Sequence, residues 1–244
     1  IDACLVGSEM CIRDSTRKDL ESNSTQLCHL GHLLCYTFTC PECDDKYVRY
    51  RLGSSINLNL SPESKSEKLS DLLKKFFQES SGHSKECRLK KCPKKECPGR
   101  AVNSDIRILP GPEYFIISFN RVHYQDEKYI RLQNDIKAPL RGLMLTGYSY
   151  NLVMVMHQVA WENKEGDEDP LNGHYYVHKR STFNEKNFWV LLDDENISVL
   201  EEKDMADIME TQSKSIVMLI YRKELTYWDN SSTSSEDSTT NLDL

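Results

Sequence analysis

The chain has 244 residues, enough for one large domain or two small ones, and 28% of them are charged, 39% hydrophobic and 9% aromatic. That balance is globular and excludes a mostly disordered or collagen-like chain. A net charge of −7 argues against wholesale nucleic-acid affinity. The most apolar windows, Tyr114–Phe119, Leu152–Met156 and Ile216–Tyr221, fall far short of the ~20 residues a membrane-spanning helix needs.

The chain opens at Ile1, with no initiator methionine and no short apolar run behind a basic start that would read as a signal peptide. It reads as a fragment whose beginning is lost. Leu5–Ser15 (LVGSEMCIRDS) resembles translated sequencing-adaptor sequence, so residues 1–15 are expected to be a non-native leader in which Cys4 and Cys11 carry no function. Arg49–Leu60 alternates in hydropathy and reads as one strand. Leu69, Leu72, Leu73, Phe76 and Phe77 recur at helical spacing, which predicts a helix with Ser66 as N-cap, ending near Ser80-Ser81-Gly82. Tyr114–Val122, Tyr150–Trp161, His174–Lys179, Phe188–Leu192 and Ser215–Arg222 are β-branched and aromatic runs of strand length. A shorter helix is expected over Glu201–Met209. The acidic, Ser/Thr-rich end, Asp229–Leu244 within residues 227–244, reads as a disordered tail. The class is α+β, dominated by antiparallel sheet.

Nine cysteines occupy positions 4, 11, 28, 35, 40, 43, 87, 92 and 97, and none follows Cys97. A secreted disulfide scaffold would spread an even number through the chain; this clustering favours metal binding in the reducing cytosol or nucleus. Cys40-Pro-Glu-Cys43 is a knuckle in which one tight turn supplies two thiolates. Cys92 and Cys97 are the favoured second pair, with Cys87 or His83 in reserve, giving a structural zinc site whose charge the surrounding lysines offset. The same basic stretch suits a nucleic-acid ribbon, but it lacks the aromatic residues that stack on bases. Cys28, His29, His32 and Cys35 do not converge easily at their spacing, and a packing role is expected for them.

The most informative segment is Asn172-Gly-His-Tyr-Tyr-Val-His178, followed by Phe188-Trp-Val-Leu-Leu-Asp-Asp194. Each reads as a strand, with Ser181–Asn187 as the turn. A fold about residues 183–184 sets His174 directly opposite Asp193, close enough for the carboxylate to hydrogen-bond the imidazole. That contact fixes the tautomer and orientation a general base needs. Gly173 leaves room beside His174 for a substrate chain.

These motifs together resemble the ubiquitin-specific protease family of cysteine deubiquitinases, from about Leu30 to Glu224. His29-Leu-Gly-His-Leu33 ahead of Cys40-x-x-Cys43 is similar to the family's lead-in to its zinc finger. Leu109-Pro-Gly-Pro-Glu-Tyr-Phe-Ile-Ile-Ser-Phe-Asn-Arg121 is similar to its "LP..L.I.LKRF" strand, loosened by an inserted Gly-Pro. Tyr150–His157 followed by Gly173-His174-Tyr175 resembles the "Y.L..V..H.G..GHY" box, and Trp189 to Asp193-Asp194, then Ser215–Tyr221, completes the signature. The resemblance implies a papain-like hand fold with fingers (residues 16–103) and palm (104–226), the thumb missing.

It further implies His174 as general base, Asp193 as its orienting partner, Asp194 as a supporting or alternative acid, and Gly173, Tyr175 and His157 as substrate-binding residues. Ubiquitin and ubiquitinated proteins are the implied partners, with neither nucleic acid nor membrane among them. The sequence departs from the family at Asn172, where many members have glycine, in the long stretch Gln158–Pro170, and in lacking the nucleophile box. Cys35-Tyr36 imitates only the last letters of that box, so the chain alone is expected to hydrolyse nothing. A non-catalytic ubiquitin-binding pseudoprotease and a zinc-ribbon nucleic-acid adaptor are the rival functions. The acidic loop Glu162–Asp169 is expected beside the substrate channel, where it would steer ubiquitin's basic tail.

Overall fold

The computed structural model describes residues 30–79, 92–99, 102–109, 111–162 and 168–224. Two sheets carry the architecture. The smaller has three strands in the order β2-β1-β5, made of β1 (His32–Thr39), β2 (Lys46–Gly53) and β5 (Val102–Leu109). The larger has eight. Its main path runs from β14 (Asn196–Leu200) through β13 (Lys186–Asp193), β12 (Glu168–Phe183), β11 (Tyr148–Glu162), β15 (Ile216–Lys223) and β6 (Tyr114–Asn120) to β3 (Ser55–Asn59), and β10 (Leu143–Leu145) pairs with β11. The pairings are antiparallel, as the sequence suggests, except β3 with β6 and β4 (Ser66–Lys68) with β9 (Asp135–Lys137), which are parallel. A hairpin of β7 (Val122–Gln125) and β8 (Lys128–Arg131) forms its own two-stranded ribbon, fastened to β11 by Arg131, whose Nη2 donates to Gln158 O at 2.7 Å.

Alternation along the central strands defines the core face. Val155, Leu219 and Ile117 stand in register across β11, β15 and β6, all wholly buried. Helix α1 (Leu69–Glu79) lays Leu69, Leu72 and Leu73 into the same core. Helix α2 (Glu202–Thr211) contributes Met205 and Met209. Its start is set by a capping box: Glu201 is the N-cap, and its backbone N–H donates to Asp204 Oδ2 at 2.8 Å.

Three expectations change in detail. The single strand foreseen over Arg49–Leu60 is broken at Ser54, sending β2 to the small sheet and β3 to the large one. The break follows a close approach of β1 and β2, since a Cβ on Gly53 would stand 2.9 Å from the His32 ring. Ser66 is not a helix cap; it lies in β4, paired with Asp135, and the helix begins at Leu69. The line drawn at residues 103/104 does not separate the sheets, because β5 crosses it and β3 lies before it. The leader, Cys28, His29, His83, Cys87 and the acidic tail lie outside the described residues, as does most of the loop Glu162–Asp169.

Candidate active site and cysteine cluster

Strand β12 presents His174, Tyr176 and His178 on one face, opposite Val159, His157 and Val155 of β11. The β12–β13 hairpin turns at Asn184-Glu185, with φ of 47° and 63°, and its register pairs Phe183 with Lys186 and Val177 with Leu192. One step further places Tyr176, not His174, opposite Asp193. The sequence-based register was therefore two residues out. Because side chains alternate with period two, the slip keeps His174 and Asp193 on the same face. They meet as diagonal neighbours: His174 Nε2 donates to Asp193 Oδ1. Asp194, in the left-handed region at φ 51°, brings Oδ2 to 3.8 Å from His174 Nδ1. The hydrogen bond to Asp193, partly opposed by desolvation and aided by the charges of both aspartates, holds His174 above the ordinary imidazole range.

The other site residues divide by burial. Tyr175 is half exposed, on the face opposite His174. His157 is wholly buried, so it does not offer a surface for direct substrate contact; its ring lies parallel to that of Tyr176, with centroids 4.7 Å apart. Its Nδ1 bonds Ser215 Oγ at 2.8 Å. Burial, with the nearby charges of His178 and Arg121, pushes its pKa down to about 3. Gly173 also has a different reason from the one expected. A Cβ there would stand 2.3 Å from the Val159 carbonyl oxygen, so the space is taken by β11 itself.

Beneath this face, Arg121 is buried and satisfied by backbone. Its Nε donates to Ile216 O at 2.6 Å, Nη1 to Leu132 O and Asn134 O, and Nη2 to Ser213 O at 3.1 Å. One guanidinium thereby ties β6, the start of β15 and the segment before β9 together. Among the described residues, the group gathered around His174 holds two carboxylates and no thiol. Cys35 is buried in β1 of the three-stranded sheet, away from the sheet that carries His174. Burial of His32 and Cys35 agrees with the packing role expected for them.

The second constellation is the cysteine cluster. Cys40, Cys43, Cys92 and Cys97 bring their Sγ atoms within 4.8 Å of one another. Cys40 lies 3.6 Å from Cys97, and Cys43 lies 3.7 Å from Cys92. The edge of a tetrahedron with metal–sulfur bonds of about 2.3 Å is about 3.8 Å, so the donor set fits a four-thiolate metal ion. Two neighbours escaped the sequence reading. Tyr47 Oη sits 3.0 Å from Cys92 Sγ. Gly99 closes the second loop so tightly that a Cβ would lie 2.7 Å from Cys40 Sγ. Burial alone would raise the Cys92 thiol, but hydrogen bonds from Tyr47 and the backbone at Lys94, among others, bring it down to about 7.

The chain is thus an α+β fold dominated by antiparallel sheet, with a His–Asp pair on the large sheet and a four-cysteine cluster at the small one. The sequence matches the ubiquitin carboxyl-terminal hydrolase family over residues 11–221, and the chain belongs to that family. No curated protein sequence matches it. Among solved structures it is similar to a SAGA DUB module of Ubp8, Sgf11, Sus1 and Sgf73 bound to monoubiquitin, with 14% identity, a TM-score of 0.60, and coverage of 81% of this chain and 41% of that one. It is similar to a yeast SAGA DUB module with an altered Sgf73, at 13% identity, TM-score 0.60, and coverage of 85% and 44%. It also resembles the Ubp8 module bound to ubiquitin aldehyde, at 16% identity, TM-score 0.60, and coverage of 88% and 47%. The chain thus spans less than half the length of these structures. No helix among the described residues is long and apolar enough to cross a membrane.

Proposed function

We propose that this chain is the C-terminal part of a thiol-dependent deubiquitinase that cleaves the bond after the C-terminal glycine of ubiquitin. The observation that carries the reading is His174, held at Nε2 by Asp193 and leaving Nδ1 as the nitrogen that can take a proton. In the proposed reaction, Nδ1 takes the proton of a cysteine thiol supplied by polypeptide outside the described residues. The thiolate attacks the glycine carbonyl, and the protonated imidazole returns its proton to the departing lysine amine. Water, deprotonated by the same nitrogen, then releases the acyl-enzyme. Asp194, beside Nδ1, adds a second negative charge that stabilises the imidazolium. Tyr175, exposed one residue along, is the available substrate contact.

Cys40, Cys43, Cys92 and Cys97 are proposed to hold one structural zinc, which when bound would cross-link the two loops of the fingers. Ubiquitin as the partner is supported by family membership and by the ubiquitin-bound state of the similar modules. The cytosol or nucleus, where thiols stay reduced, is the proposed compartment.

The test joins the chain to the sequence that precedes it in its natural transcript and assays a fluorogenic ubiquitin. Turnover lost in His174→Ala by about a thousandfold or more supports the reading. Ubiquitin binding without any turnover would favour the pseudoprotease, a reading kept because no thiol joins the described group around His174. The chain on its own should show none; turnover abolished by Cys35→Ala would overturn the assignment of the nucleophile to another segment.

A further inference from the structure

His174 is the outermost of three rings that lie nearly parallel. Its centroid is 6.5 Å from that of Tyr176, with planes inclined by 21°, and Tyr176 lies 4.7 Å from His157 at 2°. Each lower ring is anchored. Tyr176 Oη donates to Gln212 Oε1 at 2.9 Å. Ser215 Oγ spends its own proton on Gln212 O at 2.8 Å, so it accepts from His157 Nδ1–H, which sets the buried imidazole as the neutral Nδ1–H tautomer. The stack therefore stands on the residues that join α2 to β15.

The register gives this column a task. Asp193 stands opposite Tyr176 and one diagonal step from His174, so its carboxylate has two ring neighbours to choose between. The hydroxyl of Tyr176 is engaged by Gln212 and Ser215, its proton going to Gln212, and it offers the carboxylate nothing to accept. We infer that Tyr176, stacked on His157 and tethered through Gln212, is a positioning residue for His174: it walls the imidazole so that Nε2 meets Asp193 and Nδ1 stays turned to the nucleophile. Tyr176 touches no reacting atom; it acts through His174. The groups facing the imidazole are Asp193 and Asp194, with neutral His157 and His178 behind Tyr176.

This inference rests on the proposed base role of His174, but its test does not need catalysis. The 15N shifts of the His174 ring in this chain report its tautomer and its titration midpoint directly. Tyr176→Phe keeps the stack and should leave the Nε2–H tautomer in place. Tyr176→Ala should mix the tautomers and bring the midpoint at least halfway back towards the ordinary value near 6.5. Unchanged tautomer and midpoint in Tyr176→Ala would overturn the inference. If that variant does not fold, Gln212→Ala combined with Ser215→Ala, which removes both hydrogen-bond partners of the Tyr176 hydroxyl, decides instead: partial mixing supports the role and wild-type spectra refute it. In the catalytically complete protein, Tyr176→Ala should lower kcat about tenfold or more with KM held within about twofold. If wild-type protein shows no turnover while the ring shifts move as stated, the deubiquitinase reading fails and the positioning role stands.

Discussion

Gly173 sits where β12 presses close against the backbone of β11, and the sequence alone suggests a different reason for it. A glycine before a candidate base invites a substrate; the Val159 carbonyl, at 2.3 Å from any Cβ, already fills that side. Gly173→Ala must push the strands apart beside the His174–Asp193 contact, and a loss of about 1–3 kcal/mol is expected in denaturant unfolding. Stability within error of wild type would mean that the strands accommodate the methyl group. The histidines make a second residue-scale prediction. Burial lowers His32, His157 and His178, with His157 held down to about 3, while His174 is raised. A lowered imidazole binds fewer protons folded than unfolded, so the stability it confers is full above about pH 6.5 and lost as pH falls towards its folded value. His174 has the opposite sign: its contribution is full below about pH 6.5 and fades as pH rises through its folded value. Three lowered groups outweigh one exposed raised group, so the urea midpoint should fall between pH 7.5 and pH 5. His157→Phe, which keeps a ring against Tyr176 but cannot ionise, should flatten that fall. An equal fall in the variant would show that His157 protonates without cost in the fold.

At the scale of elements, the β12–β13 hairpin shows what patterning can and cannot specify. Alternation told which face each residue occupies, because a two-residue error in register leaves faces unchanged. It could not tell the turn. Asn184-Glu185 makes a two-residue loop with both residues at positive φ, and Glu185 lacks the glycine that normally announces such a turn. The β7–β8 loop repeats the device with Asp126-Glu127. Glu185→Gly should therefore raise stability by about 1 kcal/mol, the left-handed penalty less the entropic cost of glycine, read as a higher thermal midpoint. A lower midpoint would mean that the Glu185 side chain stabilises the turn by more than its backbone strain. The break between β2 and β3 was hidden for a related reason: the apolar phase of Tyr50 and Leu52 resumes at Ile56, Leu58 and Leu60, so the lapse at Ser54 reads as a polar position within one strand while the chain changes sheets. Helix α2, by contrast, lies within two residues of the bounds expected for it, although its capping box of Glu201 and Asp204 emerged only from the structure. The His–Asp pair and the four cysteines were legible because spacing and residue type carried them. Tyr176, Gln212, Ser215 and Gly99 were not, since each matters only through what the fold lays against it.

Across the whole molecule, the two sheets are held by very different means. The large sheet buries a continuous core against both helices, and Leu34, Ile106 and Ile108 of the near part of the small sheet join it. The far end of the small sheet has a separate cluster in which Phe38, Cys40 and Cys92 are the buried members, flanked by Tyr36, Cys43, Tyr47 and Cys97. One phenylalanine and a handful of sulfurs cannot offset the ordering of two loops, at about 1–2 kcal/mol per residue for the backbone alone. A thiolate-bound metal could, since it would join Cys40-Cys43 to Cys92-Cys97 across roughly fifty residues of chain. Protein made without added metal should carry close to one equivalent of zinc. Stripping it with a strong chelator, or making Cys40→Ser, should melt the fingers while the palm unfolds separately at its own midpoint, so that one transition becomes two. Tyr47→Phe is the gentler probe: it removes the hydroxyl at 3.0 Å from Cys92 Sγ and should weaken zinc retention about tenfold or more without ejecting the ion. Less than about half an equivalent of metal, unaltered by Cys40→Ser, would refute the site; a single unchanged transition after full chelation would show that the fingers stand without it.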